Sequence, residues 1–104
     1  MTIAISTLST VANAVYTSTG NTAITSLTLC NYSASNVTAN LYVVPNGNSA
    51  GTTTVALANV LLAVHDTLQM YVAAEKLLLG PGDAIYCNAS ANTSVTAVTS
   101  YTSI

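Results

Sequence analysis

The residues that could carry chemistry in this chain are few and scattered. His65 and Asp66 form the only neighbouring pair that resembles an acid–base unit, and the other charged side chains are Glu75, Lys76 and Asp83. Neighbouring residues on a strand point to opposite faces, so His65 and Asp66 could cooperate only within a turn and with a nucleophile from elsewhere. The chain has no Gly-x-Ser-x-Gly nucleophile elbow. We therefore expect a solvated turn at this pair and no enzyme.

The residue types needed to hold a ligand are equally scarce. A structural zinc site takes four Cys or His ligands, and the chain has two Cys and one His. The glycines at residues 80–82 lack the lysine and the following helix of a phosphate-binding loop. Nucleic acids and anionic membranes are bound through Lys and Arg, of which there is one in all. We therefore predict no metal, no cofactor, no nucleic-acid partner and no membrane partner.

The composition describes a neutral module. Charged residues make up 4% of the 104 residues, against about 25% in an ordinary soluble domain. The hydrophobic share is 51%, which is enough for one core in one domain. The formal net charge of -2 gives little repulsion between copies, so the composition favours a protein that works inside an assembly. Residues 2–7 have no basic segment typical of an export signal, and we expect a protein made and used without export.

Alternation of apolar and polar residues is the dominant pattern. It predicts strands over residues 2–7, 15–17, 23–31, 37–44, 84–89 and 95–101, separated by turn residues such as Asn46-Gly47 and Gly80-Pro81-Gly82. Short strands at this spacing are typical of a β-sandwich or a jelly roll. The predicted fold is all-β: one antiparallel β-sandwich domain over residues 1–104, jelly-roll-like, with about eight or nine short strands.

Residues 55–79 allow two interpretations. Leu57, Leu61, Val64 and Leu68 fit one face of a helix. The alternative is a strand over 59–64, a turn at His65 and Asp66, and a strand over 67–72. A long exposed helix would normally carry Glu and Lys, and none occurs before Glu75. We therefore favour the strands, which the surrounding β pattern also supports.

The two cysteines lie far apart in the sequence, at Cys30 and Cys87. One interpretation is a disulfide closing a long loop, worth about 2–4 kcal/mol. The other is two free thiols facing the core, since free Cys is among the most buried residue types. Without an export signal we favour the free thiols.

The six tyrosines supply all the aromatic bulk, because the chain has no Phe and no Trp. Some of them must therefore fill the core. Others could anchor an interface, since tyrosine is enriched among residues that dominate binding energy. Tyr42 and Tyr71 lie on the polar-facing positions of their strands and are the candidate interface residues.

Three segments together resemble a known group of proteins. They are residues 24–31 (ITSLTLCN), 41–47 (LYVVPNG) and 77–85 (LLLGPGDAI), which span most of the chain. The pattern is similar to the small β-sandwich virion proteins of tailed bacteriophages, which include capsid decoration, or cement, proteins and tail-associated modules. Such modules usually have Gly-Glu-Thr between two strands where this chain has His65-Asp66-Thr67. Because of this difference the resemblance does not predict the type of this turn, but the predicted pairing of the two strands is unchanged.

The resemblance implies a structural function. A cement protein stabilises the outside of an expanded capsid, often as a homotrimer, so the implied partners are the major capsid protein and other copies of the chain. The implied location is the capsid surface of the virion, after assembly in the host cytoplasm. The alternatives are a tail, neck or fibre component, and a carbohydrate-binding or adhesin-like module.

Overall fold

The alternating sequence folds into strands throughout the part that the structure describes. The structure is a computed structural model, and it describes residues 2–70 and 77–104. These residues form nine strands and no helix. The strands are β1 (Thr2–Thr7), β2 (Asn13–Thr17), β3 (Thr22–Asn31), β4 (Val37–Val44), β5 (Val55–Leu62), β6 (Thr67–Met70), β7 (Leu77–Leu79), β8 (Ala84–Ala89) and β9 (Val95–Ser103).

Two antiparallel sheets divide these strands. The first sheet has the order β1-β9-β3-β6, with β7 also paired to β3, and the second has the order β2-β8-β4-β5. Strands from the start of the chain thus pair with strands from its end: β1 with β9, β2 with β8, β3 with β6 and β7, and β4 with β5. A ribbon wound in this way is the jelly-roll arrangement. The predicted fold class, a jelly-roll-like β-sandwich, is confirmed.

The ambiguous segment forms strands, as the sequence favoured. β5 begins at Val55, four residues before the predicted start at residue 59, and ends at Leu62. It can begin early because two irregularities in its register with β4 absorb extra residues, and Asn59 takes a left-handed conformation with φ of 53°. β6 starts at Thr67 as predicted, and the last two residues of that predicted strand, 71 and 72, lie outside the described residues.

The core lies between the two sheets and is filled mainly by aliphatic side chains. Leu27 of β3, Leu41 of β4 and Ile85 of β8 are at most 1% exposed. Because side chains alternate along each strand, the residues between them form the two outward faces. This alternation places polar side chains on both outer surfaces of the sandwich.

Both cysteines are free thiols, as favoured from the sequence. Cys87 lies in the core and is fully buried. The prediction that both thiols face the core is wrong for Cys30. This residue is half-buried and alternates with the core residues Leu27 and Leu29, so it lies on the outward side of β3. The two thiols are on opposite sides of a packed sheet, which is why they do not pair.

No helix among the described residues has the length and apolar character needed to cross a membrane.

Candidate interaction faces

The chemistry-bearing residues lie apart in the described structure. His65 and Asp66 are both exposed, in the turn between β5 and β6. The turn is closed by the Asp66 backbone N–H, which donates to the Ala63 carbonyl at 2.9 Å, and the Asp66 carbonyl accepts from the Asn31 N–H at 2.9 Å. The predicted solvated turn is thus confirmed, and the backbone groups of Asp66 hold it. His65 has φ of 60°, a left-handed conformation that glycine favours and that His adopts more often than most other residues.

Asp83 bonds local amides, as its place after Gly82 predicts. Its Oδ1 accepts from the Asn46 N–H at 2.9 Å and its Oδ2 accepts from the Gly80 N–H at 2.9 Å. These two donors, that of Asn46 first, lower the pKa of the Asp83 carboxyl. Gly82 has φ of 82°, and a Cβ there would lie 2.5 Å from the Asn46 side chain. The carboxylate therefore ties the loop after β4 to the turn before β8 and serves a structural purpose.

No group of three or more His, Cys, Asp and Glu within residues 2–70 and 77–104 is placed to hold a metal ion. Glu75, Lys76 and the candidate interface residue Tyr71 lie outside the described residues. The described charged side chains are thus Asp66 and Asp83, and each lies in a loop. The outward side chains of the described strands are therefore neutral.

The outward surface of the second sheet carries a chain of asparagines, and we name it the asparagine face. Asn88 Nδ2 donates to the Thr10 carbonyl at 3.3 Å, and Asn40 Nδ2 donates to Asn88 Oδ1 at 2.9 Å. Asn40 Oδ1 then accepts from the Asn59 N–H at 2.7 Å. Because Asn59 occupies the bulge in β5, its N–H is free of the regular ladder and available for this bond. The amides are thus held in fixed orientations across β8, β4 and β5.

Tyr42 lies next to these hydrogen-bonded asparagines on the asparagine face. It is half-buried and pairs directly across the sheet with Tyr86, which is also half-buried. A shallow groove of about 330 Å³ lies beside it, lined by Tyr42, Asn40, Asn59, Val55, Ala58, Gly51 and Thr52. The outward, partly exposed position expected for Tyr42 is therefore confirmed. Its role in an interface stays a prediction, and Tyr86 is a second candidate that the sequence pattern did not single out.

The outward surface of the first sheet has a different character, and we name it the threonine face. Its side chains are small hydroxyls and aliphatics in register across the strands. It carries Ile3, Ile5 and Thr7 of β1, Thr96, Val98 and Ser100 of β9, Ser26, Thr28 and Cys30 of β3, and Thr67 and Gln69 of β6. Among the described residues, the side-chain hydrogen bonds on this face are those from Thr25 Oγ1 to the Ser100 carbonyl and hydroxyl, both at 3.1 Å. The other hydroxyls on this face have no hydrogen-bond partner among the described residues.

Two further tyrosines form a cleft at one end of the sandwich. The rings of Tyr16 and Tyr101 lie 4.1 Å apart between centroids, tilted by 33°, and both pack against the core. The Tyr16 hydroxyl is 3.2 Å from Thr22 Oγ1. A cleft of about 470 Å³ opens over these residues, with Thr19, Asn21 and Ser103 on its rim. Among the described residues, no tyrosine belongs to the buried core. The expectation that some tyrosine fills the core is thus met only at its margin, where Tyr16 and Tyr101 are half-buried and pack against it.

Asn31 is a structural residue that sequence reasoning missed. It is fully buried at the end of β3. Its Nδ2 donates to the carbonyls of Ser35, Leu62 and Ala63 at 2.9–3.0 Å, and its Oδ1 accepts from the N–H and hydroxyl of Ser33. The bond to the N–H two residues on is an Asx turn, and the Asn-x-Ser pattern at the start of a polar loop is the signal that could have indicated it.

Comparisons of the chain with protein-family models, with curated proteins and with solved structures find no match. The resemblance to phage virion proteins therefore stays a prediction, and function has to be argued from the faces themselves.

Proposed function

We propose that the chain is a viral structural protein that decorates and stabilises the outer surface of a capsid, as a homotrimer bound to the major capsid protein. The observation that carries this proposal is the distribution of charge. The described charged side chains are confined to two loops, and the described strands of both sheets present broad neutral faces. Burying a neutral, hydrogen-bonding surface avoids the cost of removing charges from water. Such faces suit permanent contact within an assembly.

The asparagine face is the surface that suits the capsid contact best. Tyr42 and Tyr86 give it two amphipathic aromatic side chains, which supply large contact area at low cost in conformational entropy. The hydrogen-bonded chain from Asn88 to Asn59 fixes the polar groups beside them. Binding through a surface that is already ordered loses less entropy than binding through mobile side chains.

The proposal is tested on empty, expanded shells of the major capsid protein of the same virus. Added protein should bind to saturation and raise the temperature at which the shells rupture, followed by light scattering. Tyr42→Ala should weaken binding by about 2 kcal/mol, or about thirtyfold in Kd. Thr28→Ala, on the opposite face, should bind as the wild type does. Shells that neither bind the protein nor gain stability would contradict the proposal.

Copy number in purified virions separates capsid decoration from a tail, neck or fibre position. A decoration protein covers a symmetric shell and is present in hundreds of copies, as the resemblance implies. A tail part is present in far fewer. Quantitative mass spectrometry against the major capsid protein therefore tests the location independently of shell binding.

The tyrosine cleft favours a second candidate function, the binding of a neutral carbohydrate. Tyr16 and Tyr101 provide an aromatic floor, and Thr19, Asn21 and Ser103 surround it with uncharged hydrogen-bonding groups. Its volume of about 470 Å³ is within the range of small-ligand sites, and jelly rolls include lectin domains. A glycan array probed with the wild type and with Asn21→Ala tests this function. Binding that requires Asn21 would support it, and an array without signal would contradict it.

A further inference from the structure

The four exposed sheet edges differ in how they are protected against pairing. An open edge presents unpaired N–H and C=O groups, and proteins normally blunt it with bulges, short strands, charge or proline. β2 carries an irregularity between Ala14 and Tyr16, and β5 carries two. In the described part of the edge formed by β6 and β7, the strands have four and three residues. Within the described residues, three of the four edges are therefore interrupted or short.

β1 is the exception. All six of its residues pair with β9 in one continuous register, without a bulge. The strand contains no charged residue, no proline and no glycine. Its outward side chains Ile3 and Ile5 are 63% and 69% exposed. The structure thus leaves one regular, apolar and uncharged edge open, which is a template for another strand.

The sequence of β1 points to the strand that fits this edge. Residues 2–6 read Thr-Ile-Ala-Ile-Ser, which is nearly the same in both directions. In an antiparallel pair centred on Ala4, Thr2 would lie opposite Ser6 of a second copy and Ile3 opposite its Ile5. Residues directly opposite each other in such a pair share a face, with Cβ atoms about 4.5–5.5 Å apart. The four isoleucines would then form one cluster on the threonine face.

We propose that a second copy of this chain pairs with β1 through its own β1, antiparallel and about a two-fold axis at Ala4. The pairing joins the first sheets of both copies into one continuous sheet and satisfies the open backbone groups of both strands. An isologous two-fold contact of this kind is the commonest in soluble oligomers. The uncharged strands bring no repulsion to the contact.

This inference goes beyond the proposed function and does not depend on it. The two-fold contact predicts a dimer in solution, or a hexamer if the proposed trimers also form. Shell binding and solution mass are separate measurements, so each proposal can fail while the other holds.

The first test is native mass by light scattering behind a sizing column, over a wide range of protein concentration. The wild type should give a dimer or hexamer mass. Ile5→Lys places a charge at the edge and should halve that mass. Leu78→Lys is the matched control, because Leu78 is similarly exposed, at 65%, at the other edge of the same sheet, and it should keep the wild-type mass. Circular dichroism should show both variants folded.

The second test addresses the register. Differently tagged Ile3→Cys and Ile5→Cys proteins, each with Cys30→Ser, are mixed and mildly oxidised, so that only thiols directly opposite each other form a disulfide. Covalent dimers should contain one protein of each kind, because residue 3 of one copy faces residue 5 of the other. A monomer or trimer mass for the wild type, an Ile5→Lys protein that assembles as the wild type does, or equal cross-linking of each protein with itself would overturn the proposal.

Discussion

The two outer faces of the sandwich are made from similar small polar residues but use them differently. On the asparagine face, the amides of Asn40 and Asn88 bond to each other and to backbone groups of Thr10 and Asn59. On the threonine face, most hydroxyls are in contact with solvent only, within the described residues. The side chains of the asparagine face are therefore ordered before any partner binds, whereas the hydroxyls of the threonine face remain available for new hydrogen bonds.

The difference arises from side-chain length and from the bulge in β5. An asparagine amide is long enough to reach the next strand and offers both donors and an acceptor, so neighbouring asparagines can form a chain. A threonine hydroxyl is short and its β-branched side chain is held in few rotamers on a strand. The two proposals follow this difference: the capsid contact is proposed for the asparagine face, and the contact between copies is proposed for the β1 edge of the threonine face.

The largest expected contrast is in thiol reactivity, between the threonine face, which carries Cys30, and the core, which holds Cys87. Burial raises the pKa of the Cys87 thiol to about 12, so about one molecule in ten thousand carries the thiolate at pH 8. Cys30 is half-buried on the threonine face. A maleimide reagent should label Cys30 and leave Cys87 unmodified until the protein unfolds. Peptide mapping after timed labelling measures this, and early modification of Cys87 would contradict the packing described for β8.

The second expected contrast is in how much the side chains of each face contribute to the free energy of unfolding. Asn40→Ala should lower the free energy of unfolding by about 1–3 kcal/mol, because it removes the two side-chain hydrogen bonds of Asn40, one to Asn88 Oδ1 and one from the Asn59 N–H, and each contributes about 0.5–1.5 kcal/mol. Thr28→Ala, at a half-buried position on the threonine face of the first sheet, should lower the free energy of unfolding by less than about 1 kcal/mol, which is the range of strand propensities among residue types. Urea titrations of both variants compare them directly. Equal costs would show that the asparagine chain contributes nothing particular to stability.

A smaller effect is expected at Thr99, on the inner side of the first sheet. It is fully buried, and its Oγ1 has no hydrogen-bond partner among the described residues. Thr99→Val replaces the hydroxyl with a methyl group of similar size and should raise the free energy of unfolding by about 1 kcal/mol. The same urea titration measures it. A destabilised Thr99→Val protein would mean that the hydroxyl has a partner.

The smallest effect is the pH dependence contributed by Asp83, since neither face carries a described acid. Its pKa is lowered in the folded protein by the N–H groups of Asn46 and Gly80. The carboxylate therefore stabilises the fold fully above the ordinary value of 3.8, and this contribution is lost as the pH falls below that value. The wild type should therefore melt at a higher temperature than Asp83→Asn at pH 7, and this difference should shrink at pH 3. A difference that does not change with pH would contradict the stabilising role of the carboxylate.

Local features of this fold were predictable from the sequence, and long-range ones were not. Alternation and turn residues fixed the bounds of β1, β4 and β8, and the position after Gly82 indicated the local bonds of Asp83. Which strands pair with each other could not be predicted, because nothing in residues 2–7 specifies pairing with β9. The contacts of Asn31 with Leu62 and Ala63 depend on a distant turn. The stacking of Tyr16 on Tyr101 likewise depends on how the two sheets meet.

The most direct test of the account is the rupture temperature of empty capsid shells incubated with the wild type, with Tyr42→Ala or with Thr28→Ala. We predict that the wild type and Thr28→Ala raise the rupture temperature equally. Tyr42→Ala should raise it only at a much higher protein concentration. The free proteins are first shown to be folded by their melting curves. Shells that are unaffected by the wild type, or stabilised equally by all three proteins, would contradict it.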